Sequence, residues 1–573
     1  MPIHNNDIVK NFNKVADLLE IKGANPFRVR AYRNAARTIG GLTISVADLI
    51  AENKPLTDFS GIGKDLAEKI KEILATGQLS QLRELEKDLP PGLHDLLRIP
   101  GLGPKKVKAL YEALDIGDLS SLKKAAQEQK IRNLNGFGAK TEASILEEIE
   151  RRNWGKSRTQ WVVAEELARS YVDYLKKDTS LKEITVAGSY RRGKETVGDL
   201  DILVNVKQGS DIMTHFVTYE DVDHVISRGE IRSSVVLRTG LQVDLRVVNQ
   251  VGYGAALHYF TGSKAHNITV RKLAQKKGMK INEYGVFKNG KRIAGKTEED
   301  IFKQVNMPYI EPELREDRGE IQAAQKNRLP KLIRPDDIRG DLHAHTQETD
   351  GRDTLEDMVS AAQKKRYAYI AISDHSQHVT VAKGLDRKRL AKQIEKIDRL
   401  NAKTRKFVVL KAIEVDILKD GSLDLADDIL KELDVVIGAV HSDFKLSREK
   451  QTERILRAMD NPLFNILAHP SGRLINAREP YEVDLERLIE AAAERGCFME
   501  LNAHPDRLDL NDVFCKTAKD LGVKMAVSTD AHGVDSLDYM RLGVQQARRG
   551  WLEPDDVLNT RSWNELKKLL QRS

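Results

Sequence analysis

From residue 339 onward, short apolar runs alternate with long amphipathic helical patterns, and this alternation limits the possible folds most strongly. The runs are "YIAISDH" (369–375), "FVVLKAIEVDIL" (407–418), "VVIGAVH" (435–441), "NILAHP" (465–470), "CFMELN" (497–502) and "KMAVSTDAH" (524–532). Strands that are joined by helices pair in parallel, because each helical crossover returns the chain to the same end of the sheet. The pattern therefore predicts a parallel α/β barrel over 339–573.

Histidines and acids stand at or just after the carboxyl ends of these strands, where a barrel gathers its active site. Eight of the 14 histidines fall in this last part of the chain. A lone histidine in such a place is usually a core residue, but six at strand ends favour a metal site. The candidate ligands are His343, His345, His375, Glu414, His441, His469, Asp530 and His532.

A second acidic motif lies in "VAGSYRRGKETVGDLDILV" (186–204), where Asp199 and Asp201 are two residues apart on one predicted strand. Side chains at this spacing share a face, so their like charges repel unless a cation lies between them. A third acid, Asp244, stands inside the apolar run "LQVDLRVV" (241–248). Converging carboxylates favour a hard cation such as Mg²⁺, and the adjacent Gly-Ser turn with Arg192 suits a phosphate. Together they predict nucleotidyl transfer.

The first 150 residues read as helices, with three similar turns at 59–74, 99–114 and 134–149. Each turn has an apolar residue, one variable residue, Gly, an apolar residue and Gly before an amphipathic helix, and lysines lie beside it. Such turns direct backbone N–H groups outward and resemble helix–hairpin–helix elements, which hold a nucleic-acid backbone without reading its sequence. The candidate DNA-binding residues are Gly61, Gly63, Lys64, Gly101, Gly103, Lys105, Lys106, Gly136, Gly138 and Lys140.

Charge is divided unevenly along the chain. Residues 1–338 hold 55 Lys and Arg against 46 Asp and Glu, a net of +9, while 339–573 hold 38 against 40, a net of −2. A basic front half favours a polyanionic partner. We find no signal peptide, membrane-spanning run or lipidation motif, and the two cysteines suit a reducing compartment. We therefore expect a cytoplasmic, nucleoid-associated protein without membrane contact.

The first half resembles the family X DNA polymerases of the polymerase beta kind. The resemblance rests on GSxRRGxxxxGDxD with the later strand aspartate, followed by "YFTGS" (259–263), Asn267, Arg271 and "INEYGVF" (281–287). It implies a helical helix–hairpin–helix region, a nucleotidyltransferase palm and a thumb, with gapped duplex DNA and deoxynucleoside triphosphates as partners. It further implies that Asp199, Asp201 and Asp244 bind Mg²⁺, with Asp244 the base for the primer hydroxyl.

The same resemblance implies roles for other residues. Ser189, Arg192 and Gly198 would hold the triphosphate. Tyr259, Phe260 and Gly262 would lie against the incoming sugar, and Asn267 and Arg271 would contact the nascent pair and template. Lys69 occupies the place of a Schiff-base lysine in the family's lyase domain, with Tyr32 nearby, although Asp65 at the place of a second lysine favours the protonated amine.

Residues 339–573 resemble the PHP family of metal-dependent phosphoesterases. All nine ligand positions of that family are filled, by the eight candidates above and Asp350. The resemblance implies three ions, Mn²⁺ or Zn²⁺, with Glu414 bridging two of them for phosphodiester hydrolysis. Thr349 replaces the commoner serine and touches no ligand, and His378 and His504 are expected nearby but not as ligands.

The combination resembles bacterial family X polymerases from end to end. This resemblance implies that the protein fills short gaps in base excision repair and has 3′→5′ exonuclease activity, with a possible abasic-site endonuclease activity. It also implies a functional link to DNA ligase and a monomeric protein. The expected fold is a multidomain α+β and α/β protein that ends in a distorted β/α barrel. The expected segments are an N-terminal helical domain (1–85), a fingers-like domain (86–150), the palm (151–260), the thumb (261–315), a linker (316–338) and the PHP domain (339–573).

Three alternatives remain open on sequence grounds. The barrel could be only a structural brace for the polymerase. The three Gly turns could belong to a non-catalytic DNA-binding scaffold. The palm could also be an untemplated nucleotidyltransferase, which extends a primer without regard to template identity.

Overall fold

The structure is a computed structural model. It describes residues 3, 5–40, 46–51, 53–59, 61–87, 89, 90, 92–97, 99, 102–134, 136–151, 158–404 and 406–572. The chain forms two compact units, Met1–Ser157 and Arg158–Ser573. No helix among the described residues combines the length and the apolar character that a membrane crossing needs.

The first unit is helical throughout its described residues. Its helices are α1 (Asn5–Ile21), α2 (Pro26–Gly40), α3 (Val46–Ala51), α4 (Lys64–Thr76), α5 (Ser80–Lys87), α6 (Leu93–Leu96), α7 (Pro104–Leu114), α8 (Leu119–Gln127) and α9 (Ala139–Arg151). Their apolar faces bury one continuous core that runs from Ile3 to Ile145. This burial is what stabilises short amphipathic helices, since most would be marginal in isolation.

The second unit begins with a mixed five-stranded sheet, here called the palm sheet. This part of the chain comprises β1 (Thr159–Gln160), α10 (Trp161–Leu175), β2 (Leu181–Val186), α11 (Gly188–Arg191), β3 (Thr196–Val197), β4 (Asp199–Val206), α12 (Ile212–Val217), β5 (Val222–Arg228), β6 (Arg232–Leu237) and β7 (Gln242–Val247). The sheet order is β2-β4-β7-β6-β5, and only the β4–β7 pair is parallel. β1 and β3 form a separate small ladder.

A helical layer and a small antiparallel sheet follow. They comprise α13 (Tyr253–Thr261), α14 (Lys264–Gln275), β8 (Met279–Asn282), β9 (Gly285–Lys288), β10 (Lys291–Ala294), α15 (Glu298–Gln304) and α16 (Glu320–Gln325). Their shared core includes Ile301, Phe302 and Ile321. Ile333, which comes after α16, is fully buried in the core of the barrel that follows.

The rest of the chain forms a barrel of seven parallel strands in sequence order. Its elements are β11 (Gly340–Ala344), α17 (Leu355–Lys364), β12 (Tyr369–Ile372), α18 (Arg387–Asn401), β13 (Val408–Asp416), α19 (Asp427–Leu430), β14 (Val435–Ala439), α20 (Arg448–Met459), β15 (Ile466–Leu467), α21 (Leu485–Arg495), β16 (Phe498–Asn502), α22 (Asp512–Asp520), β17 (Met525–Ser528), α23 (Met540–Arg549) and α24 (Trp563–Leu570). A parallel bridge between Ala344 and Ala531 joins the two edges, so the sheet is nearly closed.

Local sequence explains these barrel elements. Most strand residues are buried, as expected where helices cover a parallel sheet. Several helices begin with a side chain that accepts a hydrogen bond from the first turn, namely those of Thr354, Asp386, Ser447, Asp484 and Asn511. The predicted fold class, from the helical front to the distorted barrel at the end, is confirmed.

The palm sheet and the barrel share a hydrophobic core. Ala503, Leu508, Tyr539 and Leu542 of the barrel pack in one cluster with residues of the palm sheet and α10. Ion pairs surround this core, including Arg473 with Glu195 and Arg541 with Glu165. Both predicted sites therefore lie within one compact unit.

Candidate active sites

Three carboxylates meet on the parallel pair at the centre of the palm sheet. Asp199 opens β4, and Asp201 faces the same side two residues later. In the β4–β7 register Asp201 is the direct partner of Asp244. Arg232 lies 3.2 Å from Asp244, and the Gln242 amide donates to it at 3.1 Å. The sequence could not supply this register, which brings the third carboxylate beside the pair.

At Asp201, burial and neighbouring negative charges outweigh the nearby arginines. Burial, followed by the like charges of Asp199 and Asp244, raises the pKa of Asp201 to about 7, although Arg246 and Arg192 act in the opposite direction. Three acids held this closely suit divalent cations with oxygen ligands, so the residues present fit the expected Mg²⁺.

The turn beside these acids is closely packed. Gly188 has a φ of +66°, and a Cβ there would lie 2.6 Å from Asp201 Oδ2, so both the conformation and the space require glycine. Ser189 lies on α11, and Arg192 comes directly after the last residue of that helix. Arg192 donates from Nη1 to the Thr261 carbonyl at 2.7 Å and from Nε to Glu316 at 3.0 Å.

The "YFTGS" segment lies at the end of α13, beside this turn. Tyr259 and Phe260 are partly buried, and Phe260 lies 4.3 Å below the guanidinium of Arg246. Asn267 donates to the Tyr259 carbonyl at 2.6 Å, while its Oδ1 is buried without a hydrogen-bond partner. A Cβ at Gly262 would lie 2.2 Å from that oxygen. These contacts bring Tyr259, Phe260, Gly262 and Asn267 together.

Two further predicted residues border this region. Arg271 lies one turn after Asn267 on α14, on the same side of the helix, and is partly buried. Gly198 is exposed immediately before β4, and a Cβ there would lie 3.3 Å from Arg158.

The barrel brings all nine predicted metal ligands to the carboxyl ends of its strands. Glu414 on β13 is at their centre. Its carboxylate lies 2.8 Å from His375, 2.9 Å from His469, 3.3 Å from His441, 3.5 Å from His343 and 3.6 Å from His345. Burial would raise the pKa of Glu414, but His375, His441 and His343 hold it far below its usual range. One carboxylate is thus shared by five imidazoles.

Two more carboxylates complete the cluster. Asp350 lies 3.4 Å from His532 and 3.5 Å from His375, and Asp530 lies 3.1 Å from His345. The side chains form three overlapping groups that could each hold an ion: His345, Asp350, His375 and His532; His343, His345 and Asp530; and His375, Glu414 and His441.

The donor atoms of this cluster fit metal ions. His345 Nδ1 is buried without a hydrogen-bond partner, and His375 Nδ1 and Glu414 Oε2, which lie 2.8 Å apart, do not form a well-aligned hydrogen bond with each other or with another group. A buried polar atom that has no partner is costly, and coordination of a cation would satisfy all three. The mixture of imidazole and carboxylate suits Mn²⁺ or Zn²⁺.

Sequence reasoning missed the acids that orient these ligands. Glu500 on β16 lies 2.7 Å from His343 Nδ1 and accepts a hydrogen bond from the His469 amide at 2.7 Å. Asp416, at the end of β13, lies 3.0 Å from His441 Nδ1. Such partners fix which ring nitrogen faces a metal. An acid inside an otherwise apolar strand, as in "CFMELN", was the available signal.

The two other histidines of the barrel are nearby. His378 is about half exposed and lies 3.5 Å from Asp416. His504 packs edge-on against Tyr539 at 5.2 Å, and its Nδ1 accepts a hydrogen bond from the Asp506 amide.

The three Gly turns of the first unit share one hydrogen-bonding pattern. The amide of Ile62 donates to the Phe59 carbonyl, that of Leu102 to Ile99, and that of Phe137 to Leu134, at 3.0–3.1 Å. The second glycine of each turn, Gly63, Gly103 and Gly138, precedes a helix, and a Cβ there would meet nothing within 4 Å. Gly61 and Gly136 have positive φ.

The lysines of these turns are arranged for solvent contact. Lys64 and Lys105 are exposed at the starts of α4 and α7, and Lys106 lies 5.5 Å above the Phe137 ring. Lys69 forms an ion pair with Asp65 and lies 5.9 Å above the Tyr32 ring. Gly101 and the side chain of Lys140 lie outside the described residues.

Five protein-family profiles match successive parts of the chain. They are a Helix-hairpin-helix domain (3–79), a SAM-like Helix-hairpin-helix tandem (93–151), DNA polymerase beta palm (158–253), DNA polymerase beta thumb (256–316) and a PHP domain (341–504). The chain is 38% identical over 575 residues to the DNA polymerase/3'-5' exonuclease PolX of Bacillus subtilis (strain 168), and the match covers all of both chains.

Smaller relatives match the barrel. A probable phosphatase of Thermoanaerobacter sp. (strain X514) is 30% identical over 235 residues, which is 38% of this chain and 89% of that protein. A probable phosphatase of Caldanaerobacter subterraneus subsp. tengcongensis is 31% identical over 173 residues, 28% of this chain and 65% of that protein.

Proposed function

Because the chain belongs to the bacterial family X DNA polymerases that carry a PHP domain, we propose that it is a template-directed DNA polymerase with a 3′→5′ exonuclease. The substrate would be gapped duplex DNA together with deoxynucleoside triphosphates, and the role would be filling short gaps in base excision repair. The observation that carries the proposal is that two separate acid-centred sites, around Asp201 and Glu414, lie in one compact unit.

In the palm, Asp199, Asp201 and Asp244 would hold Mg²⁺. When bound, these ions supply the positive charge that activates the primer hydroxyl and stabilises the leaving pyrophosphate. Asp244 would accept the hydroxyl proton, and its neighbours Arg232 and Gln242 orient its carboxylate. Ser189, Arg192 and Gly198 would bind the triphosphate through the turn that packs on Asp201.

The other palm-side residues would select and align the nucleotide. Tyr259, Phe260 and Gly262 would lie against the sugar, so that a 2′-hydroxyl is excluded. Asn267 is bonded to the Tyr259 carbonyl and would therefore move together with that segment. Asn267 and Arg271 would contact the nascent pair and the template.

In the barrel, His343, His345, Asp350, His375, Glu414, His441, His469, Asp530 and His532 would hold three ions, Mn²⁺ or Zn²⁺. When bound, the ions supply Lewis acidity for hydrolysis of a phosphodiester. Glu414 would bridge two of them, which its five imidazole neighbours support. Glu500 and Asp416 would fix the tautomers of His343 and His441. The same site would suit an abasic-site endonuclease.

The first unit would bind DNA through the three Gly turns, with Lys64, Lys105, Lys106 and Lys140 beside the backbone phosphates. Lyase activity of Lys69 stays a prediction, and in the structure this amine forms an ion pair with Asp65. The six-segment division of the chain, the monomeric state, the cytoplasmic location near the nucleoid and the link to DNA ligase stay predictions.

The test is a gap-filling and exonuclease assay on wild type, Asp199→Ala and the double variant His343→Ala/His345→Ala. We expect Asp199→Ala to lose extension with Mg²⁺ and keep Mn²⁺-dependent exonuclease activity, and the double variant to do the reverse. Equal and null extension by wild type and Asp199→Ala would favour a scaffold. Unchanged exonuclease activity in the double variant would indicate that the barrel has only a structural role. Primer extension that ignores the template would indicate an untemplated nucleotidyltransferase.

A further inference from the structure

A helix of the barrel contacts the loop that carries Arg192. Gly193, the next residue, has a φ of +64°, and a Cβ there would lie 2.6 Å from Gln545 Cγ on α23. Arg549 lies one turn further along the same helix and donates from Nη1 to the Arg192 carbonyl at 2.8 Å. The loop is therefore pressed against α23, and a barrel side chain fixes its main chain.

The side chain of Arg192 is tied to the same helix through Glu316. Glu316 Oε1 accepts from Arg192 Nε at 3.0 Å and from Arg549 Nη1 at 3.2 Å. Arg549 also pairs with Asp512 on α22, and Asp512 lies 3.0 Å from Arg318. Arg549 thus contacts the carbonyl of Arg192 and also the carboxylate of Glu316, which in turn accepts a hydrogen bond from the guanidinium of Arg192.

This network is shielded from water, which makes its members depend on one another. The side chains of Arg549, Glu316 and Arg192 are 2%, 11% and 12% exposed. Burial would raise the pKa of Glu316, but Arg192 and Arg549 hold it below its usual range, so the carboxylate is charged. Loss of one buried partner leaves the remaining charges uncompensated and free to rearrange.

We propose that Arg549, a residue of the barrel, is a positioning residue for the polymerase reaction: it holds Arg192 in the place from which its guanidinium binds the triphosphate. The inference rests on the proposed function, because it takes Arg192 to be a triphosphate ligand. It gives the barrel a role in nucleotide binding that is independent of its own metal cluster, which Arg549 does not contact.

The test compares Arg549→Met with Arg548→Met in the full-length protein. Arg548 directly precedes Arg549 on α23 and also anchors the helix, through Glu313 at 2.6 Å and the Ile333 carbonyl. Arg548 does not contact the Arg192 loop. We expect Arg549→Met to raise KM for the nucleotide in gap filling, and KM for inorganic pyrophosphate in the reverse reaction, about tenfold, since both ligands use the same arginine. We expect kcat to change less than about threefold and Arg548→Met to match wild type.

Two further measurements separate positioning from folding. Mn²⁺-dependent exonuclease activity of Arg549→Met should equal that of wild type, and Arg549→Lys, which keeps the charge, should recover part of the KM. A loss confined to kcat, or an equal rise of KM in Arg548→Met, would overturn the inference. If Arg192→Ala raises KM but Arg549→Met does not, the inference alone fails. If Arg192→Ala leaves KM unchanged, the triphosphate assignment fails and the inference with it.

Discussion

Replacement of Asp201 by asparagine should stabilise the metal-free protein. Burial and the charges of Asp199 and Asp244 raise the pKa of Asp201 from 3.8 to about 7. A shift of about three units corresponds to ~4 kcal/mol between the two protonation states, and partial exposure of the side chain reduces the usable amount to ~2–4 kcal/mol.

The sign follows from proton binding. Below pH 3.8 the folded and unfolded states both bind the proton, so the raised pKa has no effect on stability. Between about pH 4 and pH 7 the folded state binds it more tightly, so stability falls as the pH rises, and above pH 7 the penalty is constant. Asparagine carries no charge and escapes this penalty. The gain should therefore be largest at pH 8 and less than half as large at pH 5.

The assay is thermal unfolding in EDTA at pH 8 and pH 5, repeated with Mg²⁺ at pH 8. For a cooperative unit of roughly 400 residues, ~2–4 kcal/mol corresponds to a rise in Tm of about 2–5 °C. Mg²⁺ should raise the Tm of wild type more than that of Asp201→Asn, because the variant lacks one of the three negative charges whose repulsion the ion relieves. Asp173→Asn is the control, since that carboxylate is 60% exposed and, within the described part of the chain, forms its ion pair with the similarly exposed Lys176. A Tm of Asp201→Asn at or below that of wild type at pH 8 in EDTA would refute the reasoning.

Three other outcomes follow from the sites. Glu414→Gln should lower exonuclease activity more than about a hundredfold in a nuclease assay with Mn²⁺, while gap filling remains, because five imidazoles lose their common carboxylate. Glu500→Gln should raise the Mn²⁺ concentration for half-maximal exonuclease activity about 10–100-fold, which a metal titration measures. Lys64→Gln and Lys105→Gln should each reduce the slope of log affinity for DNA against log salt by about 1, measured by fluorescence anisotropy, if the exposed turns contact phosphate.

Sequence patterns predicted the fold and named many of the side chains that the structure brings together, because those patterns are local. The spacing of Asp199 and Asp201 is enough to place them on one face of β4. The position of Asp244 is different, since it depends on which strand pairs with β4 and in what register. Neither is encoded in the strand itself. For the same reason the proposed barrel ligands could be named from strand ends, but the five contacts of Glu414 could not.

The role of Arg549 is the clearest case of information that only the tertiary structure holds. In "QQARRG" two adjacent arginines end α23, and nothing local distinguishes them. Adjacent helical residues point about 100° apart, so one is directed to Glu313 and the other to Arg192 and Glu316. The difference arises from what packs beside the helix, from segments that are more than 200 residues distant in sequence.

The two acid-centred sites differ in how they balance charge without metal, and this difference bears on which cations each one would select. The palm site gathers carboxylates whose repulsion is only partly offset by arginines, so it favours compact oxygen-seeking cations. In the barrel, imidazoles already surround Glu414, and protons on those rings can balance its charge. A cation must displace these protons to bind there, which makes its affinity depend on pH, and imidazole donors favour softer transition ions. One chain can therefore hold two sites for phosphorus chemistry that differ in both metal preference and response to pH.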